Sequence, residues 1–293
     1  MKILLTGSSG FFGKNFLDRI NKKKIKTLCI QRKNQNNGKN TNYIFSDLEN
    51  INDFREKIIL FKPSVILHLA WQGIPNYSKV NCKKNYRITK KLIDLSFSIP
   101  SLRKIILLGS SYEYDFIFGK CREQYRSKCT NMISECKEKV LEYFLKKKKF
   151  ENKKLKWYWL RPFYIYGEYQ RNDSLIPTII KSLLAEKKVN INNPKACNDY
   201  LYVGEFIRFV KSILFKRIPS GIYNIGSGKL LSNQTIATIC SNLFAEKNKI
   251  INFKFEDKKK GKYSCKKKLS KVNFYPNINI VKGLNQTIKK YEN

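Results

Sequence analysis

The apolar run Ile3-Leu4-Leu5 opens the chain, and Phe16, Leu17 and Ile20 follow at helical spacing, which predicts a short buried strand, a turn and a helix. The pattern then repeats. Residues 25–30 predict a second strand, residues 34–42 (polar, with one glycine) a loop, Tyr43-Ile44-Phe45 a short strand and residues 51–61 a helix. Residues 64–70 predict another buried strand, residues 80–97 a helix and residues 104–108 the next strand. Strands alternating with helices predict an α/β fold with a doubly wound parallel sheet. A long helix over 132–150 and a strand over 154–160 continue it. Strict alternation then fades. Helices are predicted over 175–184, 205–214, 232–244 (opening on a serine cap) and 281–291, and strands over 199–203, 221–228 (ending in a glycine turn) and 250–255. Residues 256–271, rich in lysine and poor in apolar side chains, read as an exposed, mobile loop. The expected organisation is a nucleotide-binding domain over 1–167 and a smaller C-terminal α/β substrate lobe over 168–293, with interleaved segments.

The first turn carries the chemistry. Thr6-Gly7-Ser8-Ser9-Gly10-Phe11-Phe12-Gly13 lies between the first strand and helix, the setting of a dinucleotide fingerprint on a Rossmann-type sheet. Gly7 permits the tight turn, Gly10 has no Cβ to hold a pyrophosphate off the backbone, and Gly13 lets the helix pack closely. The amides from Ser9 to Gly13 at the helix start then face the anion. Roughly 20 residues past such glycines an acidic residue would hold the ribose 2′-OH of NAD. The chain has Gln31-Arg32-Lys33 there instead, and Arg32 can grip a 2′-phosphate bidentately, so NADP is favoured over NAD. Asp47, followed by Leu48, reads equally as a contact to the adenine amino group and as a helix-start carboxylate. Gly109-Ser110-Ser111 leaves the carboxyl end of a sheet strand, where ligand crevices form.

Composition narrows the partners. The chain has 293 residues and a formal charge of +37, with lysines in nearly every segment. That charge reads as compositional bias that also attracts an anionic ligand, and basic stripes interleaved with stacking aromatics are not evident. No specific nucleic-acid partner is expected. The eight cysteines (29, 82, 121, 129, 136, 197, 240 and 265) form no C-x-x-C pair, and His68 is the only histidine, so no metal site or disulfide framework is expected. His68 sits inside an apolar run and reads as a core histidine. There is no bilayer-length apolar run and no signal-peptide pattern, so a soluble cytoplasmic protein without a membrane span is expected.

With these pieces placed, the chain resembles the extended short-chain dehydrogenase/reductase superfamily, in its NAD-dependent epimerase/dehydratase branch. The resemblance runs nearly end to end. It rests on the glycine turn, Asp47-Leu48, His68-Leu69-Ala70, Asn85, Gly109-Ser110-Ser111, Arg161-Pro162-Phe163 with Tyr166-Gly167, Asp199 to Val203 and Tyr223-Asn224-Ile225-Gly226. Leu69-Ala70-Trp71, Glu113-Tyr114-Asp115 and Gly119-x-Cys121-x-Glu123 look most like the nucleotide-sugar 4-ketoreductases of deoxysugar and polysaccharide biosynthesis. The resemblance implies a catalytic Ser110, with Ser111 as the alternative, and Lys137 on the nicotinamide ribose. It implies Leu69, Ala70, Asn85 and Phe163 along the cofactor, Tyr164 and Asn198 toward a nucleotide-sugar substrate, and a homodimer built through residues 80–97 and 132–150.

Three departures stand out. Ile133 occupies the position, four before Lys137, of the family's catalytic tyrosine; the nearest tyrosines in sequence, Tyr125 and Tyr112, stand at the wrong spacing, which leaves one of them or Tyr164 to reach the site in space. Asn198 stands where many relatives have an arginine, and Tyr164 where asparagine is frequent. Loss of a general acid–base group typically lowers rate by about 10²–10⁴-fold. Two readings follow: an NAD(P)-dependent oxidoreductase or epimerase working at C4 of a nucleotide-linked sugar, and a cofactor-binding sensor or partner subunit without turnover.

Overall fold

The structure, a computed structural model, describes residues 1–20, 24–32, 41–114, 117–125, 128–151, 154–244, 251–253 and 261–292. The chain forms two compact units from interleaved segments. The first takes Met1–Phe116, Tyr125–Arg161 and Arg217–Tyr223; the second takes Ile117–Gln124, Pro162–Lys216 and Asn224–Asn293.

A seven-stranded sheet organises the first unit. Its strands lie in the order Gly221–Ile225, Lys156–Pro162, Lys104–Leu108, Val65–His68, Lys2–Thr6, Lys26–Gln31 and Thr41–Phe45. Leu4 pairs in parallel register with Leu28 on one side and Ile66 on the other, and Ile66 with Ile105. Strands covered on both faces need apolar residues at every position, which is why they read as unbroken runs. Helices α1 (Phe11–Arg19), α2 (Arg55–Phe61), α3 (Lys79–Phe97) and α4 (Met132–Phe150) connect them. Ile88, Leu92 and Ile93 of α3 and Val140, Leu141 and Phe144 of α4 share one core with Leu4, Ile66, Ile105 and Trp159.

Two spans differ from expectation. The edge strand starts at Thr41, inside the span read as a loop; residues 33–40 lie outside the described residues. The predicted helix over 51–61 is a 3-10 helix, Leu48–Phe54, followed by α2, with Asn50 at φ −95° and ψ 26° interrupting it.

The second unit holds α5 (Leu175–Leu184), α6 (Val203–Phe215), α7 (Asn233–Leu243), the short α8 (Lys267–Ser270) and α9 (Ile280–Glu292). Ile176, Ile179 and Leu183 of α5, Phe206, Phe209 and Ile213 of α6, and Leu284 and Ile288 of α9 are buried. The lysine-rich stretch is corrected here: its described part is ordered structure, not an exposed loop. Lys262–Ser264 is a strand paired in parallel with Gly119–Cys121, and Leu269 of α8 is buried. A three-residue strand carries too little periodicity to show in the sequence. Ser264 is held by two bonds to Asp199, at 2.8 Å from its amide and 2.6 Å from its hydroxyl. No helix among the described residues is long and apolar enough to cross a membrane.

Candidate functional site

The three glycines of the first turn have different reasons to be glycine. Gly7 has φ +76°, and a Cβ there would lie 2.7 Å from the Ala70 amide nitrogen, against the end of the neighbouring strand. At Gly13 a Cβ would lie 2.1 Å from the Gly7 carbonyl, so helix α1 could not close onto the turn. Gly10 is unlike either. A Cβ there would meet nothing nearer than the Gly7 carbonyl at 3.4 Å, an ordinary contact, so the protein itself does not require glycine. The remaining demand for a bare backbone comes from outside, which fits a pyrophosphate resting on the turn. Gly10 is also the N-cap of α1, so no side chain competes for the amides there. Ser9 is exposed, while the half-buried Phe11 and Phe12 rings pack together with centroids 5.0 Å apart. Ser8, buried beneath the turn, donates to the Gln31 side-chain carbonyl oxygen at 2.9 Å and so ties the turn to the second strand.

Gln31 ends that strand, and Arg32 beyond it is exposed. Lys33, its expected companion, lies outside the described residues. Asp47 caps the 3-10 helix by accepting from the Glu49 amide at 2.9 Å, and it also accepts from Gln72 Nε2 at 3.2 Å. The helix-start reading of Asp47 is therefore what the backbone uses. Burial raises its carboxyl, but the Glu49 amide, Gln72, Lys84 and Arg32 outweigh that and hold it below the usual carboxylate range. Leu48 is buried in the core beneath it. Asn85 of α3 clamps the loop after the Val65–His68 strand: its Oδ1 accepts from the Gln72 amide at 2.7 Å, and its Nδ2 donates to the Gln72 carbonyl at 2.9 Å. Leu69 and Ala70, between that strand and the clamp, form the wall against Gly7.

His68 is a core histidine. Thr89 donates to the Asn85 carbonyl at 2.8 Å, so its oxygen accepts from His68 Nε2 at 3.2 Å. Nδ1 then accepts from Thr6 at 2.7 Å, which fixes one neutral tautomer. Burial and the Lys137 charge push the imidazole down to about 3.

Ser110 and Lys137 are each fixed at the end of the Lys104–Leu108 strand, Ser110 two residues past Leu108 and Lys137 through the Leu108 carbonyl. Ser110 caps the 3-10 helix Ser111–Glu113, its Oγ accepting from the Tyr112 amide at 3.1 Å. Ser110 and Ser111 are both half-buried. Lys137 Nζ donates to the Leu108 carbonyl at 2.6 Å and lies 3.5 Å from the centroid of the Trp71 ring. It is only 5% exposed, and burial pushes its ammonium down to about 7 against the opposing pull of Glu113. One helical turn earlier, Ile133 is buried with Cys82 and Cys136, against Trp71, Tyr77 and Met132. The corner that would hold a phenol is apolar packing.

A buried ion pair beside the serines was not read from the sequence. Glu113 accepts from the Ser110 amide at 2.7 Å, from Trp159 Nε1 at 3.1 Å and from Arg161 Nε at 2.7 Å. Arg161 also donates to the Tyr114 hydroxyl at 2.9 Å. Partners 48 positions apart leave no spacing to read. Among the described residues there is no group of three or more His, Cys, Asp or Glu side chains that could hold a metal ion.

In the second unit, Phe163 is buried and bonded to the Ile225 carbonyl through its amide at 3.0 Å. The Tyr164 ring packs on Tyr200 with centroids 4.5 Å apart. Tyr200 donates to Asn233 Oδ1 at 2.6 Å, and Asn198 Nδ2 lies 3.4 Å from the same oxygen. Tyr164 and Asn198 are thus joined through Tyr200. Asp199 accepts from the amides of Ser227 and Gly228 as well as from Ser264, and so organises the turn that follows the Gly221–Ile225 strand.

Comparison with known proteins gives a consistent picture. The model of the NAD dependent epimerase/dehydratase family matches residues 3–226. The dTDP-6-deoxy-L-talose 4-dehydrogenase (NAD(+)) of Aggregatibacter actinomycetemcomitans is 23% identical over 269 residues, covering 87% of this chain and 94% of that protein. The UDP-glucose 4-epimerase of Thermotoga maritima, solved with UDP-glucose, superposes with a TM-score of 0.86 at 17% identity, covering 100% of this chain and 99% of the other. The UDP-glucuronic acid 4-epimerase of Bacillus cereus, solved with UDP-glucuronic acid and NAD, superposes with a TM-score of 0.85 at 20% identity, covering 100% and 99%.

Proposed function

We propose a function that proceeds from one premise: the chain belongs to the NAD dependent epimerase/dehydratase family. It is an NAD(P)-dependent cytoplasmic enzyme that reduces or epimerises a nucleotide-linked sugar at C4, in the making of deoxysugars. The observation that carries this reading is Gly10, the one fingerprint glycine whose missing side chain serves no contact within the protein. A bound nicotinamide dinucleotide supplies the capacity to give and take a hydride. The amides from Ser9 to Gly13 hold its pyrophosphate, Arg32 faces its adenosine ribose, and Asp47 with Gln72 offers a fixed carboxylate to the adenine. Ser110 donates to the sugar oxygen, and its neighbour Lys137 adds positive charge where that oxygen becomes anionic. Tyr164 and Asn198 face the nucleotide sugar. Two copies pair through α3 and α4, and the positive charge of the surface serves no specific nucleic acid.

The test is direct. Purified protein is mixed with NADH or NADPH and a panel of 4-keto deoxysugar nucleotides, and nicotinamide absorbance is followed. Consumption that falls about 10²-fold or more in S110A, with cofactor binding intact, supports the proposal. Tight cofactor binding with no consumption across the panel overturns it in favour of a non-catalytic sensor.

A further inference from the structure

Reduction of a carbonyl requires a proton for its oxygen as well as a hydride for its carbon, and the side chains at the strand ends are each engaged within the protein. The Ser110 oxygen is engaged with the Tyr112 amide at 3.1 Å, and an alcohol holds its proton too tightly to give it up unaided. Lys137 is packed against Trp71 and bonded to Leu108. Glu113 is 0% exposed and neutralised by Arg161, and His68 is locked between two threonines. A phenol is the chemistry that Ile133 lacks, and the structure brings one to the corner that Ile133 occupies.

We infer that Tyr77 supplies the proton, taking the part in catalysis that position 133 leaves unfilled; the inference rests on the sugar-nucleotide reaction proposed above. Its ring packs against the cluster of Ile133, Cys82 and Cys136, which also holds Trp71, the residue under the Lys137 ammonium. The ring also meets Tyr112, with centroids 5.7 Å apart, two residues beyond Ser110.

The backbone carrying Tyr77 is fixed from both sides. Tyr77 immediately precedes Ser78, the N-cap of α3, and packs against Cys82 in the first turn of that helix, a hydrophobic staple. The Cys82 thiol lies 3.5 Å from the Tyr77 carbonyl. Asn76 Oδ1 accepts from the Ser78 amide at 2.9 Å, and Asn81 Nδ2 donates to the Asn76 carbonyl at 3.0 Å. A proton donor gains from such a frame because its hydroxyl keeps one position through the reaction. Tyr112, by contrast, is 49% exposed and serves as the flank of Tyr77.

The step balances. The phenol O–H breaks and the carbonyl oxygen gains the proton, while the carbon gains a C–H bond and two electrons from a dihydronicotinamide dinucleotide, which leaves oxidised. Water returns the proton to the phenolate.

Y77F and Y112F are compared with the wild type in two measurements. Turnover of a 4-keto sugar nucleotide should fall about 10²–10⁴-fold in Y77F and stay within a few-fold in Y112F. Calorimetry with oxidised cofactor present should show Y77F weakened about tenfold for the keto ligand and unchanged for its 4-deoxy analogue, the loss of one hydrogen bond. A wild type that turns the substrate over with Y77F undiminished overturns Tyr77, and so does a loss confined to Y112F. A wild type inert toward the whole panel fails at the earlier step and removes the reaction itself. Should Y77F melt below the assay temperature, Y77H replaces it: partial turnover supports the role, and none at native stability opposes it.

Discussion

Lys137 offers the most discriminating physical test, because its burial predicts a pH dependence that no surface lysine shares. Replacement by methionine keeps an unbranched apolar stem and removes only the ammonium. Burial holds the folded-state group at about 7, against 10.5 when exposed. Between those values the unfolded chain binds a proton that the folded chain does not. The unfolded state therefore binds more protons, and stability rises with pH across that window. One such group gives a slope that approaches about 1.4 kcal/mol per pH unit once the folded-state group has lost its proton; half protonated at pH 7, it should give the wild type roughly 2.3 kcal/mol relative to K137M between pH 7 and pH 9. A second effect is independent of pH over this range: the Leu108 carbonyl loses its 2.6 Å donor, which costs about 1–3 kcal/mol in the variant. The slope and the offset are separable. Trp71, Trp157 and Trp159 all lie in the first unit, so their fluorescence reports its unfolding. Urea titrations at pH 7, 8 and 9 on both proteins give the difference. Parallel curves, with K137M displaced by a constant amount, would refute the claim that Lys137 is desolvated.

Two further outcomes follow from the geometry of the turn and the ion pair. G10A should leave the urea midpoint within about 0.5 kcal/mol of wild type and weaken nucleotide binding about tenfold, whereas G13A, with its Cβ 2.1 Å from the Gly7 carbonyl, should destabilise by at least about 1–3 kcal/mol; equal melting of the two variants would show that the contacts do not distinguish them. E113A strands the Arg161 guanidinium in a site where it is 2% exposed, and should lose about 3–5 kcal/mol by urea melting; a loss under about 1 kcal/mol would mean that the guanidinium finds water or another partner.

The parallel half of the fold was legible because its strands are covered on both faces and its helices on one. Leu4, Ile66 and Ile105 announce themselves as parts of apolar runs, and Phe16 and Leu17 as one face of a helix. The glycine turn was legible for the same local reason, since the residues that define it are neighbours in sequence. What escaped depends on distant partners. Lys262–Ser264 exists as a strand because Gly119–Cys121 pairs with it and Asp199 binds Ser264, and neither fact leaves a trace in a lysine-rich stretch. Glu113 looks like any turn carboxylate until Trp159 and Arg161 close over it. Asp47 and Asn85 were placed by their motifs, but the work the structure gives them was hidden: each fixes a part of Gln72, one its side chain and one its backbone.

The substitution at position 133 and the state of Lys137 are two sides of one arrangement. Residues 133 and 137 sit one turn apart on α4, so whatever stands at the first lines the space of the second. A tyrosine there would bring a hydroxyl, and with it a polar neighbour for the ammonium. Isoleucine brings only methyls, and it joins Cys82, Cys136 and Trp71 in an apolar surround. Removing the phenol from the helix thus also dries the lysine, which is why Lys137 relies on a carbonyl and the face of an indole for its favourable contacts. A cation held this way is stabilised by an anion arriving beside it more than an exposed cation would be, because the low local dielectric magnifies the new attraction. The site retains a buried amine at the end of the Lys104–Leu108 strand, one that negative charge developing in a bound ligand would draw toward its ammonium form.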